Sequence, residues 1–223
     1  MKPLFVAIEG IDGAGKGTTT RNVKALLEQD GLSVATLSFP NYGATHAARS
    51  IEAMLNGRFT PTSAYHIATL FSLDRAETLA GRPPWDCDVV VCDRYTASNA
   101  AFQGARLPLA EQDNFLGWLF DYEFSRLGLP RPDLQILLKI DPKTASALVL
   151  KKGQRDYTDK DKDLFETDAR YQETVAAAYD RISVHPLAGA WKVVAVDQGG
   201  DLRTPEAIAA DVVGLVRARL AGA

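Results

Sequence analysis

The sequence predicts an α/β fold in which helices cover both faces of a five-stranded parallel sheet. Short apolar runs rich in β-branched residues alternate along the chain with longer segments of helical spacing. The runs are almost continuously apolar, as strands that are buried on both faces must be. Right-handed crossovers between parallel strands then place helices on either side of the sheet. We therefore expect a single domain, residues 1–223, with three-layer α/β/α architecture.

Five segments are predicted to form the strands, and a segment of helical spacing follows each of them. In chain order they are LFVAIE, SVATLSF, DVVVCDR, DLQILLKI and WKVVAVD. Between the second and the third, residues 40–85 contain two helical patterns divided by a turn at residues 57–61. We expect this insertion to form the pocket for a substrate.

A second irregular segment, residues 151–163, is polar and charged and contains a glycine. It lies between a helix predicted after Pro142 and another predicted to start near Leu164. A charged segment of this kind between two helices favours a mobile lid, which would close over a bound ligand and exclude water.

Charge and composition exclude several classes of protein. The formal net charge is -3, so the chain lacks the basic excess that nucleic-acid polymers or anionic membranes require. The apolar run from Leu4 to Ile8 ends at Glu9 and is too short for a signal peptide or a membrane span. We expect a cytoplasmic protein that binds any phosphate group through a few well-placed cations.

The segment GIDGAGKGT, residues 10–18, has the pattern of a phosphate-binding loop. Its glycines allow the backbone to turn so that successive amide hydrogens point at an anion. Lys16 would reach the outer phosphates, and a helix predicted from Gly17 to Gln29 would direct its N-terminus at them. The predicted phosphate-binding residues are Gly10, Gly13, Ala14, Gly15, Lys16, Gly17 and Thr18.

Gly17 stands where many phosphate loops carry a Ser or Thr whose hydroxyl binds the metal, and Thr18 comes one position too late to replace it. The GKGT ending resembles that of adenylate kinases and other nucleoside monophosphate kinases. That resemblance implies that Thr18 contacts an inner phosphate while magnesium is held by water and by the phosphates. The missing hydroxyl therefore favours a small-molecule kinase over a switch GTPase.

Two further pairs of residues are candidates for ligand binding. Asp93 and Arg94 end the third predicted strand, at the edge of the sheet where ligands bind. Asp93 could hold magnesium, directly or through water, and Arg94 could bind a phosphate bidentately, although a plain surface ion pair is the alternative. Phe71 and Arg75 share one helix face and could read a base, although such a pair taken alone is more often a core aromatic beneath a solvated arginine.

Four motifs, EGIDGAGKGT, FPNYG, LFSLDR and DRYTASNAAFQGA, occur in an order and spacing that resemble thymidylate kinases across essentially the whole chain. The resemblance implies a P-loop kinase fold with a mobile lid. It implies an enzyme that phosphorylates dTMP to dTDP with ATP and Mg²⁺, acting as a homodimer. A kinase for dUMP or a purine monophosphate, and a catalytically silent nucleotide-binding regulatory module, remain alternatives.

The resemblance also implies roles for single residues. Phe71 stacks on thymine, Arg75 bonds a base carbonyl and Asn99 reads the base edge. Phe102 stands where the family often has a tyrosine near C2′ of the sugar, so bulk against ribose is kept while the phenol contact is lost. The phosphate-loop residues would bind ATP. The implied dTMP-binding residues are Asp12 (facing the 3′-hydroxyl), Phe39, Tyr42, Phe71, Arg75, Arg94 (holding the phosphate), Ser98, Asn99, Phe102 and Tyr179.

Phosphoryl transfer between two anionic nucleotides makes charge repulsion the main obstacle, so cations are needed between them. Lys16, Arg94 and magnesium near Asp93 supply part of this charge, and one more arginine is expected. Some family members place that arginine in the phosphate loop, at the position of Gly13 here. Arg155 in the predicted lid is therefore the candidate catalytic arginine, with Lys151 and Lys152 as alternatives.

Overall fold

The structure is a computed structural model, and it describes residues 2–80, 85–151, 169–198 and 201–222. Five parallel strands form one sheet in the order β2-β3-β1-β4-β5. The strands are β1 Leu4–Glu9, β2 Val34–Ser38, β3 Val89–Asp93, β4 Leu134–Lys139 and β5 Trp191–Ala195. The predicted α/β fold with a five-stranded parallel sheet is confirmed.

Helices flank this sheet, and most follow a strand directly. They are α1 Lys16–Gln29, α2 His46–Leu55, α3 Ala64–Leu79, α4 Thr96–Gly104, α5 Leu109–Phe120, α6 Pro142–Lys151, α7 Ala169–Ile182 and α8 Pro205–Ala221. A π-helical turn, Asp121–Arg126, continues α5, and a 3₁₀ turn, Pro186–Ala188, precedes β5. A short antiparallel pair that the sequence did not predict, β6 Asp197–Gln198 and β7 Asp201–Leu202, follows β5.

The two faces of the sheet bury different side chains, because successive residues of a strand point to opposite sides. On one face, Val6, Ile8 and Val91 join a large core cluster that includes residues of α1, α5 and α8. On the other face, Phe5 and Val90 pack in a smaller cluster. Both faces are therefore covered, which explains why the strand sequences are apolar at nearly every position.

Parallel pairing brings the functional segments to one edge of the sheet. β1 and β3 are neighbours in a register that pairs Ile8 with Asp93. Because both strands run the same way, the phosphate loop after β1 and the Asp93-Arg94 pair after β3 meet at the carboxyl edge. In the sheet, β1 lies between β3 and β4. The strands that follow β1 in the chain therefore lie first on one side of it, as β2 and β3, and then on the other, as β4 and β5.

The predicted insertion contains the two expected helices, α2 and α3, on either side of a turn in which Gly57 has a φ of 70°. Thr45 and Ser63 cap these helices, each accepting a hydrogen bond from a first-turn amide.

The predicted helix after Pro142 is α6. The lid prediction falls on residues 151–163, of which all but Lys151 lie outside the described residues, as does Leu164. In the described ranges, no helix is both long enough and apolar enough to span a membrane.

Candidate active site

The phosphate loop adopts a backbone that only glycine accommodates easily. Gly10, Gly13 and Gly15 have φ angles of 147°, 85° and 82°. Gly15 immediately precedes α1, so the loop leads directly into a helix N-terminus. A Cβ on Gly13 would lie 2.3 Å from the carbonyl oxygen of Ala145 in α6. The loop therefore has no room for an arginine at position 13.

Lys16 is the first residue of α1, and its side chain is buried. Its Nζ donates a hydrogen bond to the carbonyl oxygen of Ile11, 2.7 Å away. Burial, and next the charge of Arg94, lower the pKa of Lys16 to about 8, although Asp12 and Asp93 act in the opposite direction. The nearby carboxylates thus offset only part of the cost of holding the Lys16 charge in a buried site beside Arg94. An anion bound in the loop would stabilise that charge.

Arg94 follows β3 with a φ of 65°, an unusual value for a residue other than glycine. Its Nη2 forms an ion pair with Asp12 Oδ1 in the phosphate loop, and its guanidinium carbon lies 5.0 Å from the centre of the Phe102 ring. Burial, the largest single effect, lowers the pKa of Arg94, but Asp12 together with Tyr179, Asp93 and Glu9 raises it, and the net result is a raised pKa. Arg94 therefore stays charged and connects the end of β3 with the loop after β1.

Asp12 is also held by Gln172 of α7, which sequence reasoning missed. The Asp12 backbone N–H donates to Gln172 Oε1 at 3.3 Å, and Gln172 Nε2 donates to Asp12 Oδ2 at 3.2 Å. The two residues are 160 positions apart, and no local pattern signals a contact over such a separation. Helix α7 thereby holds the phosphate loop through Asp12.

Asp93 explains why glycine suits position 17. A Cβ on Gly17 would lie 3.1 Å from Asp93 Oδ2, a contact tighter than most real Cβ atoms make. The carboxylate thus borders the space in which other phosphate loops place a hydroxyl. Within the described residues, no group of three or more His, Cys, Asp or Glu side chains could hold a metal ion. The Asp93 carboxylate beside the loop is compatible with magnesium, which usually retains water and binds substrate phosphates.

Arg75 lies at the other end of the site and is only 2% exposed, so the alternative of a solvated arginine is wrong. Its Nε donates to Glu123 Oε2 at 2.9 Å, and its Nη2 donates to Glu123 Oε1. The guanidinium carbon also lies 5.9 Å from the Phe39 ring centre and 5.8 Å from that of Tyr95. Burial opposes the charge of Arg75, yet the Glu123 carboxylate raises its pKa.

Asn99 in α4 is buried beside the same carboxylate. Its Nδ2 donates to the Ala68 carbonyl oxygen at 2.9 Å, to Glu123 Oε1 at 3.1 Å and to Ser72 Oγ at 3.4 Å. Its Oδ1 is shielded from solvent and accepts no hydrogen bond from the residues that the structure describes. Sequence reasoning also missed Glu123, although a carboxylate that continues the buried stripe of Leu119 and Phe120 was a detectable signal.

The other predicted dTMP-binding residues are distributed around these two groups. Tyr42 and Phe71 are partly buried against Ile51 and Ile67 in a small cluster of α2 and α3. Phe39 is buried against Tyr95. Their predicted contacts with a nucleotide stay predictions, and the candidate catalytic residue Arg155 lies outside the described residues.

Ser98 and Tyr179 belong to a third polar group, centred on Glu9 at the end of β1. Glu9 accepts hydrogen bonds from Ser98 Oγ at 2.5 Å, from the Tyr95 N–H at 2.8 Å and from the Tyr179 hydroxyl at 3.0 Å. Burial raises the pKa of Glu9 and that of Tyr179. Tyr179 is thus enclosed behind the loop, and its predicted contact with the sugar remains a prediction.

A glycine-rich loop that opens onto a buried lysine at a helix N-terminus, with an acid and an arginine at the end of the adjacent parallel strand, defines the class of P-loop kinases. The family follows from comparison with known proteins. The family model described as thymidylate kinase matches residues 8–189. The chain therefore belongs to the thymidylate kinase family, and the resemblance inferred from its motifs is confirmed.

Individual relatives agree with this assignment. A thymidylate kinase of Mycobacterium tuberculosis is 40% identical over 202 residues, which cover 87% of this chain and 92% of the relative. One from Hahella chejuensis is 32% identical over 167 residues, covering 72% of this chain and 76% of that relative. One from Nitratidesulfovibrio vulgaris is 30% identical over 230 residues, covering 97% and 93%. The predictions of a kinase and a nucleotide-binding enzyme are confirmed with the family.

Proposed function

We propose that this chain transfers the γ-phosphoryl group of ATP to dTMP and thereby forms dTDP and ADP. The observation that carries the proposal is the proximity of two cations from separate segments, the buried Lys16 and the partly buried Arg94. Arg94 pairs with Asp12 of the loop that carries Lys16, and its charge lowers the pKa of Lys16. Like charges held together in this way suit a site for two anionic groups that must approach each other. The name shared by the relatives, thymidylate kinase, supports dTMP as the acceptor.

In the proposed reaction, an oxygen of the dTMP phosphate attacks the γ-phosphorus. The bond from that phosphorus to the bridging oxygen breaks, and ADP leaves with the bonding electrons. No general base is required, because the second pKa of a phosphate monoester is about 6 and the attacking oxygen is already anionic at neutral pH. The protein therefore contributes position and positive charge.

Each charged side chain has a distinct task in this scheme. Loop amides and Lys16 hold the ATP phosphates. Arg94 binds the dTMP phosphate with its planar fork. Because Arg94 pairs with Asp12 in the free enzyme, dTMP must compete for that contact. Release of the pair would allow Asp12, still aligned by Gln172, to accept from the deoxyribose 3′-hydroxyl.

Magnesium is part of the proposal, and Asp93 is the residue that would hold it, through water. A bound ion would neutralise charge on the ATP phosphates. Gly17 leaves the approach to Asp93 Oδ2 free of a side chain, which supports this assignment. The remaining ligands would be phosphate oxygens and water, because the described residues supply no further carboxylate cluster.

Arg155 is the proposed source of the additional positive charge at the transition state. The close approach of Gly13 to the backbone of α6 supports this choice, because it leaves no space for an arginine in the loop. Lys151 and Lys152 are the competing candidates. Closure of residues 151–163 over both nucleotides would also keep water from accepting the phosphoryl group.

The base would be bound between α3 and α4, with Phe71 stacking on thymine. Arg75 would donate to a base carbonyl, and Asn99 Oδ1 would accept from a ring N–H. Asn99 Oδ1 is buried and accepts no hydrogen bond from any of the described residues, which supports this role. The Phe102 ring lies beneath Arg94. Its bulk near C2′ of the sugar would exclude ribose, although it lacks the hydroxyl of a tyrosine.

We also infer a homodimer and a cytoplasmic location. The homodimer rests on the resemblance to the family rather than on a contact within this chain, and the location follows the expectation drawn from the sequence. Sedimentation equilibrium tests the first inference, with twice the chain mass of 24.2 kDa as the expected result. A monomer at micromolar concentration would contradict it.

The proposed activity is tested by incubating the protein with ATP, Mg²⁺ and dTMP and separating the products by ion-exchange chromatography. We expect dTDP and ADP in equal amounts and no reaction after chelation of the metal with EDTA. Faster phosphorylation of dUMP or of a purine monophosphate would support the alternative acceptor. Binding of ATP without formation of dTDP would support the silent regulatory module.

A further inference from the structure

Glu123 forms the centre of a closed polar network beneath the proposed base site. It lies in the π-helical turn after α5 and is completely buried. Its carboxylate accepts from Ser72 Oγ at 2.7 Å, Arg75 Nε at 2.9 Å, Thr96 Oγ1 at 2.6 Å and Asn99 Nδ2 at 3.1 Å, and also from Arg75 Nη2. An ionised carboxylate can only accept hydrogen bonds, so the surrounding side chains direct their donor groups toward it.

This network determines which way the Asn99 amide points. The atom at the Nδ2 position faces two groups that can only accept, the Ala68 carbonyl oxygen and Glu123 Oε1. An amide oxygen in that place would meet two other oxygens, so the nitrogen must occupy it. Oδ1 is therefore left as an acceptor without a donor in a buried setting.

The same carboxylate fixes the neighbouring arginine. Arg75 directs Nε and Nη2 to Glu123, and its Nη1 has no hydrogen-bond partner among the residues that the structure describes. Arg75 Nη2 and Asn99 Nδ2 both contact Glu123 Oε1, so the guanidinium and the amide are adjacent. Glu123 thereby leaves Asn99 Oδ1 as an acceptor that a ligand can use. This atom's side chain lies beside Arg75, which keeps donor groups that do not contact Glu123.

We propose that Glu123 is a positioning residue that sets the donor and acceptor polarity of the base site. The inference rests on the proposed function, because it assumes that Asn99 and Arg75 face the base of the acceptor nucleotide. With this polarity, the site takes a base that presents a ring N–H beside a carbonyl oxygen, as thymine does. It rejects cytosine, which presents a bare ring nitrogen beside an amino group.

The physical reason for the discrimination is the cost of unpaired polar groups. Thymine gives Asn99 Oδ1 the donor that it lacks in the free enzyme, and this gain offsets the displacement of the side chains that shield that atom. Cytosine would place its ring nitrogen against Oδ1 and its amino group against Arg75. A site built around such hydrogen bonds discriminates strongly, because the wrong ligand leaves buried groups unpaired.

The test compares steady-state kinetics with dTMP and with dCMP in the wild type, in Glu123→Gln and in Ser72→Ala. Glutamine keeps the shape but replaces one acceptor with a donor, so it weakens the restraint on Asn99 and Arg75 together. Ser72→Ala removes one contact to Asn99 and one to Glu123. We expect the ratio of kcat/KM for dTMP over dCMP to fall by about tenfold or more in Glu123→Gln and by less in Ser72→Ala, through KM for dTMP rather than kcat.

Thr96→Val is the matched control, because Thr96 donates to Glu123 Oε2 but has no hydrogen bond to Asn99. We expect this variant to lose thermal stability comparably to Ser72→Ala while keeping the selectivity ratio. If Glu123→Gln does not fold, judged by circular dichroism, the comparison of Ser72→Ala with Thr96→Val decides the matter.

Three results distinguish a failure of the proposed function from a failure of the inference about Glu123. A wild type that forms no dTDP contradicts the proposed function itself. A wild type that uses dTMP and dCMP equally well contradicts only the polarity argument. Variants that lose stability but keep the dTMP preference show that Glu123 serves the fold alone, which overturns this inference and leaves the proposed function intact.

Discussion

The two ends of the proposed site, the phosphate end around Lys16 and the base end around Glu123, are built in opposite ways. At the phosphate end, the cations have provisional partners: Lys16 bonds a backbone carbonyl and Arg94 pairs with Asp12. At the base end, Arg75 and Glu123 pair with each other inside the protein through Arg75 Nε and Nη2. Among the described side chains there, Asn99 Oδ1 is a buried acceptor without a partner.

The difference assigns separate tasks to the two ends. Ligands at the phosphate end must replace contacts that the free protein already makes, so binding and rearrangement are coupled there. The base end is organised before any ligand arrives, as selective recognition requires. We therefore expect substitutions at the phosphate end to act mainly on kcat and those at the base end on the affinity for dTMP.

The largest effect is expected for Lys16→Ala. Loss of the only lysine in the loop should lower kcat by about a thousandfold, because it removes a fixed charge from the transferring phosphates. The matched control is Lys24→Ala, a partly exposed lysine of the same helix that bonds Glu28 and the Val34 carbonyl oxygen. Steady-state rates with saturating dTMP test this, and equal losses in both variants would contradict a specific role for Lys16.

A smaller but still large effect is expected for Arg155→Ala. Removal of the proposed lid arginine should lower kcat by about a hundredfold or more, with little change in the dissociation constant of dTMP. Lys151→Ala and Lys152→Ala serve as controls in the same assay. An unchanged kcat in Arg155→Ala together with a loss in one lysine variant would transfer the role to that lysine.

At the base end, Phe71→Ala should weaken dTMP binding by about 1 to 3 kcal/mol if the ring stacks on thymine. The change should appear in the dissociation constant measured by calorimetry. Phe59→Ala is the control, because Phe59 packs in the same small cluster and stacks on His66. Lower stability with normal affinity in both variants would assign Phe71 to the core.

The smallest predicted effect concerns a proton on Lys16. Its pKa of about 8 in the free enzyme leaves the group about half protonated at pH 8, and bound phosphates should raise that pKa. ADP binding at pH 8 should therefore take up about half a proton. The enthalpy of binding in buffers of different ionisation enthalpy measures this uptake. Lys16→Arg should abolish it, and identical enthalpies for the wild type in both buffers would contradict it.

The phosphate end could be predicted from the sequence because its signals are local. Gly13 and Gly15 adopt left-handed conformations, and a turn of this kind could be predicted from glycines placed shortly before a helix. The strands were recognisable from apolar runs, and parallel pairing then placed Asp93 beside the loop. The short β6-β7 pair was not predicted, because strands of two residues have too little alternation to detect.

The base end could be predicted only in part, because its contacts join distant segments. Phe71 and Arg75 were recognised from their helical spacing, but the burial of Arg75 depends on Glu123, 48 positions further along the chain. Gln172 and Asp12 are separated still more widely. Pairing between buried polar groups of this kind is determined by how α3, α4 and the π-helical turn pack together, which local patterns do not encode.

Whether cations from separate segments bring two nucleotides into one cleft can be determined from a crystal structure with ADP and dTMP bound together. We expect Lys16 Nζ on the outer phosphate of ADP, Arg94 on the dTMP phosphate and an open Arg94-Asp12 pair, all within the same cavity. Lys16 and Arg94 contacting ligands in different cavities, or dTMP bound away from α3 and α4, would contradict it.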